Sequence, residues 1–166
     1  MRIVVVSIGL VIAAIGVAFA QQNPTANEPF LPAFEARSSH SLSGRQYPEG
    51  ALRHGVTGIV HLCCQARADR TLACEVRVEW PRGHDFANAS LRMIDDMRLT
   101  ADSFAQVRAR PTTTFRVPVR WQISPVPPAL DEAQQQIDDS TVDLCGANTG
   151  RALASSYIVV TTSPVG

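Results

Sequence analysis

An excess of charge of either sign is missing from this sequence: fifteen Lys and Arg are balanced by fifteen Asp and Glu, and the formal net charge is zero. Without a basic footprint there is no case for nucleic-acid binding, and without a polybasic run there is none for an anionic membrane surface. The local words of common active sites are missing too. No nucleophile elbow, phosphate loop or metalloprotease helix occurs, and helical spacing turns the adjacent carboxylates Asp95 and Asp96 toward solvent. His61, Cys63, Cys64 and Cys74 are zinc-type ligands, but strand alternation sends the two adjacent cysteines to opposite faces, and no Cys-x-x-Cys spacing exists. His40, His54 and His84 fall in loop-like or helix-end contexts where a solvated histidine is the ordinary outcome. The expectation is a protein with no catalytic residues, no metal, no cofactor and no small-molecule substrate.

What is present points to export. Met1-Arg2 is followed by an apolar run from Ile3 to Ala20 that ends small-x-small at Ala18-Phe19-Ala20, after which the chain turns polar. This predicts a signal peptide over residues 1–20, cleaved before Gln21, and a periplasmic product of about 146 residues, enough for one domain. The alternative is an uncleaved inner-membrane anchor, because the run reaches the lower length limit for a span. The four cysteines, an even number in an exported chain, favour disulfides over free thiols.

Residues 21–44 mix Pro, Asn, Ser and Gly with little periodicity and predict a flexible lead-in. Residues 49–54 allow a short helix that Gly55 ends. From Gly58 the period becomes two: Val60, Leu62 and Cys64 on one side of a polar connection, and Leu72, Cys74, Val76, Val78 and Trp80 on the other, predict a hairpin with one buried face. Phe86, Ala89, Ser90, Met93, Ile94 and Met97 then recur at helical spacing behind Asp85 as N-cap. After an irregular link, residues 114–123 put Phe115, Val117, Val119, Trp121 and Ile123 on one face of a strand and Arg116, Pro118, Arg120 and Gln122 on the other. Proline cannot donate to a sheet ladder, so Pro118 predicts an edge strand. Residues 124–166 are too few for a core of their own and predict a C-terminal extension with a helix near residues 129–137 and a β-prone end at 157–162.

In this order the words Tyr47-Pro48, Ala51, Gly58-x-Val60, Phe86-x-x-Ala89 and Arg116-Val117-Pro118-Val119-x-Trp121 resemble the TonB C-terminal domain. The resemblance covers residues 46–123. It implies an α+β fold with two helices and a three-stranded antiparallel sheet over residues 45–123. There are departures: Asp69-Arg70 stands where the family often has Asp-Gly, "RLTAD" where a proline is usual, and Trp121 where Phe is common. Energy-transducing members keep a membrane histidine and a long Pro-rich spacer; Ile3 to Ala20 holds no histidine, and about 25 lead-in residues reach only ~80 Å when extended.

Cys64 and Cys74 lie on the apolar faces of a hairpin centred near Asp69, which sets them opposite each other; that bridge would add about 2–3 kcal/mol by the loop-entropy argument. Cys63 is then left for Cys145, while a one-residue register change would pair Cys63 with Cys74 instead. An exposed edge can accept an extended peptide as an added strand, as the TonB domain accepts a segment of an outer-membrane receptor. Thr114, Arg116, Arg120 and Gln122, with Gln46 and Tyr47 by resemblance, are the expected binding residues, and an envelope protein or peptide in a transport system is the expected partner. The competing expectation is a structural envelope protein that caps itself, with residues 157–162 folded onto the edge. A membrane-anchored energy transducer is the third.

Overall fold

Period-two alternation forms the centre of the protein. A computed structural model describes residues 32–37, 46–109, 114–125, 127–140, 144–145 and 157–163; the expected signal peptide, residues 1–20, lies outside them. Strands β2 (Gly58–Ala66) and β3 (Leu72–Trp80) form the expected hairpin with Cys64 opposite Cys74. Its turn closes through Arg67 N–H to the Thr71 carbonyl (2.8 Å), and the Asp69 carboxylate accepts from both the N–H (3.1 Å) and hydroxyl (2.7 Å) of Thr71. Arg70 takes φ 71°, the left-handed conformation that a glycine would adopt at lower cost.

Beyond the turn the register shifts: Leu62 faces Val76 and His61 faces Val78, leaving Arg77 as a bulge. Val78 and Trp80 therefore lie with His61 and Ile59 on the second face of the sheet, not with Cys74 as strict alternation predicts. Glu79 moves to the first face, opposite Val60.

The protein is α+β, with four helices and two sheets among the described residues. The larger sheet has the order β3-β2-β5-β6, where β5 is Thr114–Ile123 and β6 is Ile158–Thr162. The antiparallel trio β3-β2-β5 is present, but the sheet is not limited to three strands. β6 runs parallel to β5, with Val119 opposite Ile158 and Ile123 opposite Thr162. Parallel neighbours need a long crossover; here the chain between β5 and β6 includes helix α4 (Pro128–Ser140). β5 is consequently internal along Val119–Ile123 rather than an edge. The smaller sheet pairs β1 (Phe34–Ala36) with β4 (Met97–Leu99), so part of the expected flexible lead-in is a strand. It is fastened by Glu35, whose Oε1 meets Arg98 at 2.7 Å and Arg70 at 3.0 Å.

On the first face of the large sheet, Val60, Leu62 and Cys64 meet Val117, Val119 and α2 (Phe86–Asp95). A fully buried Phe, Leu or Ile in such a core contributes about 1.5–3 kcal/mol. Helix α1 (Glu49–Arg53) ends as expected: Gly55 has φ +63°, Val56 N–H reaches the Ala51 carbonyl (2.9 Å) and Gly55 N–H the Leu52 carbonyl (3.2 Å). Met97, expected on α2, lies in β4. The link after it contains α3 (Ala101–Arg108), started by Thr100, whose hydroxyl accepts from Ser103 N–H (3.3 Å).

The words that carry the family resemblance converge in space. Tyr47 packs edge-on against Phe86 (5.8 Å between centroids) and against Trp121 (5.5 Å). A Cβ at Gly58 would stand 2.5 Å from two Phe86 ring atoms, so this ring requires a glycine beneath it. The Trp121 indole N–H donates to Ser90 Oγ at 2.9 Å, and both residues are buried.

Candidate functional site

The site is the outer half of β5 and what lies across it. Register places Arg116, Pro118 and Arg120 on the second face with Cys63, His61 and Ile59 of β2. This face is covered, with Arg116 only 8% exposed and Pro118 buried. The reason is α4. Its Leu130 is fully buried, and Asp131, Gln134 and Asp138 recur at helical spacing along the side that meets β5. Arg120 donates one guanidinium nitrogen to Asp131 Oδ1 (2.6 Å) and another to Gln134 Oε1 (2.6 Å). Arg116 Nη1 lies 3.7 Å from Asp138 Oδ1.

Of the other expected binding residues, Gln122 and Tyr47 are engaged inside the molecule. Gln122 Nε2 donates to Thr161 Oγ1 of β6 at 3.0 Å. Tyr47 is 5% exposed in the aromatic core, and its hydroxyl donates to the Val56 carbonyl (2.7 Å). Gln46 beside it is half-buried. Thr114, opposite Gln65, is half-buried and lines an open cleft of about 420 Å³ next to the two disulfides. Arg116, Arg120 and Gln122 thus lie along one strand, while Tyr47 belongs to the opposite side of the sheet.

A polar knot lies beside them that the sequence reading did not identify. His61 is fully buried. The Tyr157 hydroxyl donates its one proton to Asp138 Oδ1 (2.9 Å), so its 2.9 Å contact with His61 Nε2 is an imidazole N–H donating to the phenol oxygen. Burial, and then the charge of Arg116, push the His61 imidazole down to about 4, although Asp138 Oδ1 is 3.7 Å away. The histidine is therefore neutral at pH 7, and its contact with Asp138 is not an ion pair. Burial and the Asp138 carboxylate raise the Tyr157 hydroxyl well above its usual range. The sequence signal was the helical recurrence of Asp131, Gln134 and Asp138; nothing in it matched those residues to Arg116, Arg120 and His61.

The cysteines are bonded as Cys64–Cys74, with Cα atoms 4.1 Å apart, and Cys63–Cys145, 5.5 Å apart. The Cys63–Cys74 alternative does not form, because the Arg77 bulge lies beyond the cysteines and leaves Cys64 opposite Cys74. No thiolate is left for a metal, and no cluster of three or more His, Cys, Asp or Glu among the described residues is placed to hold one. No family model, curated protein or solved structure matches this chain.

Proposed function

We propose that this protein is an exported, non-catalytic envelope domain of TonB C-terminal-like build, whose strand-accepting edge is filled by its own C-terminal strand. The observation that carries this reading is the parallel pairing of β6 with β5 from Val119–Ile158 to Ile123–Thr162, reinforced by the Gln122–Thr161 side-chain bond. A peptide partner of the kind the resemblance implies would need the position that β6 occupies. Two disulfides fit an oxidising compartment. The convergence of Tyr47, Gly58, Phe86 and Trp121 on one cluster supports the family likeness, since these are among the residues on which it rests.

The test is removal of residues 157–166, which takes away β6 and keeps Cys145 bonded. A bare edge at 119–123 is a template for pairing with another chain. The truncated protein should shift from monomer toward larger species in a light-scattering concentration series, while the full chain stays monomeric. A truncated protein that remains monomeric and equally stable counts against self-capping. The free peptide-binding reading would then return, with partner capture weakened by Gln122→Pro as its own test.

A further inference from the structure

We propose that the Cys63–Cys145 disulfide is a redox-operated clasp: a dithiol that opens it releases the C-terminal extension, and with it β6, from the edge of β5. This rests on the self-capped reading.

The two disulfides hold different things. Cys64–Cys74 joins neighbouring strands of one hairpin, ten residues apart in sequence, that are already fully registered. Cys63–Cys145 joins central strand β2 to the extension, 82 residues away. The bond is anchored on the same face as His61, so the covalent and polar fastenings of the extension lie two residues apart on β2.

Apart from the bond, the extension is held by the β5–β6 ladder and the His61–Tyr157–Asp138 seam, with little apolar burial of its own. Among the described residues it supplies only Leu130 and Val160 to the buried apolar set. Its ion pair at Arg120 uses an Asp131 side chain that is 66% exposed, a setting in which such pairs contribute little. β6 has five residues, and its Val159 is 51% exposed. In the core cluster around the antiparallel trio and α2, by contrast, the extension contributes only Val160, with Ile158 packed against it. Opening the clasp should therefore free the extension without dissolving the domain.

The chemistry balances with a dithiol of the thioredoxin-like class or dithiothreitol. One thiolate attacks Sγ of Cys145, which is half-buried where Cys63 is 5% exposed, and forms a mixed disulfide as Cys63 leaves as a thiol. The second thiolate resolves that intermediate. The reductant ends as a disulfide, and the two cysteines have gained two electrons and two protons.

Backbone hydrogen exchange on the full chain tests this in three samples: oxidised wild type, wild type in dithiothreitol, and Cys63→Ser/Cys145→Ser, which keeps Cys64–Cys74. The expected result is exchange at least tenfold faster over residues 158–162 in the reduced and variant proteins, with residues 59–66 and 72–80 of the variant as protected as in oxidised wild type. Unchanged exchange at 158–162 in either sample overturns the clasp. Loss of protection throughout the variant's sheet also overturns it, since the bond is then a staple of the whole fold. If residues 158–162 are unprotected already in oxidised wild type, self-capping itself fails and the clasp falls with it, in an arm distinct from the other two.

Discussion

Trp121 shows how a single position couples two elements. A buried indole N–H needs an acceptor, and Ser90, one helical turn after Phe86 on the buried side of α2, supplies it at 2.9 Å. Ser90→Ala leaves the indole donor unpaired in the core and should cost about 1–3 kcal/mol. Trp121→Phe removes the donor, so Ser90→Ala should cost less when made in that background. Urea denaturation of the two single variants and the double variant, all oxidised, measures the coupling; strictly additive losses would mean that the bond adds nothing. Serine at 90 was legible as part of the apolar stripe, yet its purpose was not, because its partner lies 31 residues away. Gly58 is similar: it reads as a strand start, and only the Phe86 ring above it explains why no larger residue fits.

Elements owe their ends to these long-range contacts as much as to local signals. Asp85 occupies the N-cap position of α2 but has φ 63°, makes no capping bond, and spends its carboxylate on Asn88 (2.6 Å) and Arg92 (3.3 Å). The helix start is served from across the fold, where Glu79 Oε1 accepts from Ala87 N–H at 3.1 Å. Glu79 reaches it because the Arg77 bulge turns it to the α2 side of β3. Glu79→Ala should therefore cost about 1 kcal/mol, the worth of an N-cap, while Asp85→Gly, which removes the carboxylate but tolerates φ 63°, costs less. Thermal unfolding of the pair checks the order; a larger loss at Asp85 would assign the cap back to the local residue. Alternation and helical spacing were enough to locate α1, β2, β3, α2, β5 and the region of α4. They missed α3, although Thr100 before Ala101-Asp102-Ser103 is a helix-start signal, and β1, whose three residues have no pattern apart from β4. The bulge was illegible because a one-residue insertion leaves the composition of a strand unchanged.

At the scale of the molecule, the misreading was the edge. Pro118 argued for an unpaired side of β5, and locally that holds, since the β6 register begins one residue later at Val119. What periodicity could not convey is that α4 and Tyr157 pack against the second face of this sheet, turning Arg116, Arg120 and His61 inward. Burying a histidine in that seam ties the stability of the assembled molecule to pH. Undocked or unfolded, His61 takes a proton near its ordinary 6.5; in place it resists protonation down to about 4. Between these values the unfolded chain binds more protons than the folded one, so the contribution is complete above pH 6.5 and is lost as pH falls toward 4. The loss is on the order of 3 kcal/mol for a shift of this size. Asp69 and Asp85, whose hydrogen bonds hold their carboxylates below the ordinary 3.8, give up their contributions only at lower pH, leaving the upper window to His61. Urea midpoints of the oxidised protein should fall between pH 7 and pH 4.5, and His61→Gln, which keeps a donor for Tyr157 without a titrating ring, should flatten that slope. A variant with the wild-type slope would place the pH dependence outside the seam between sheet and extension.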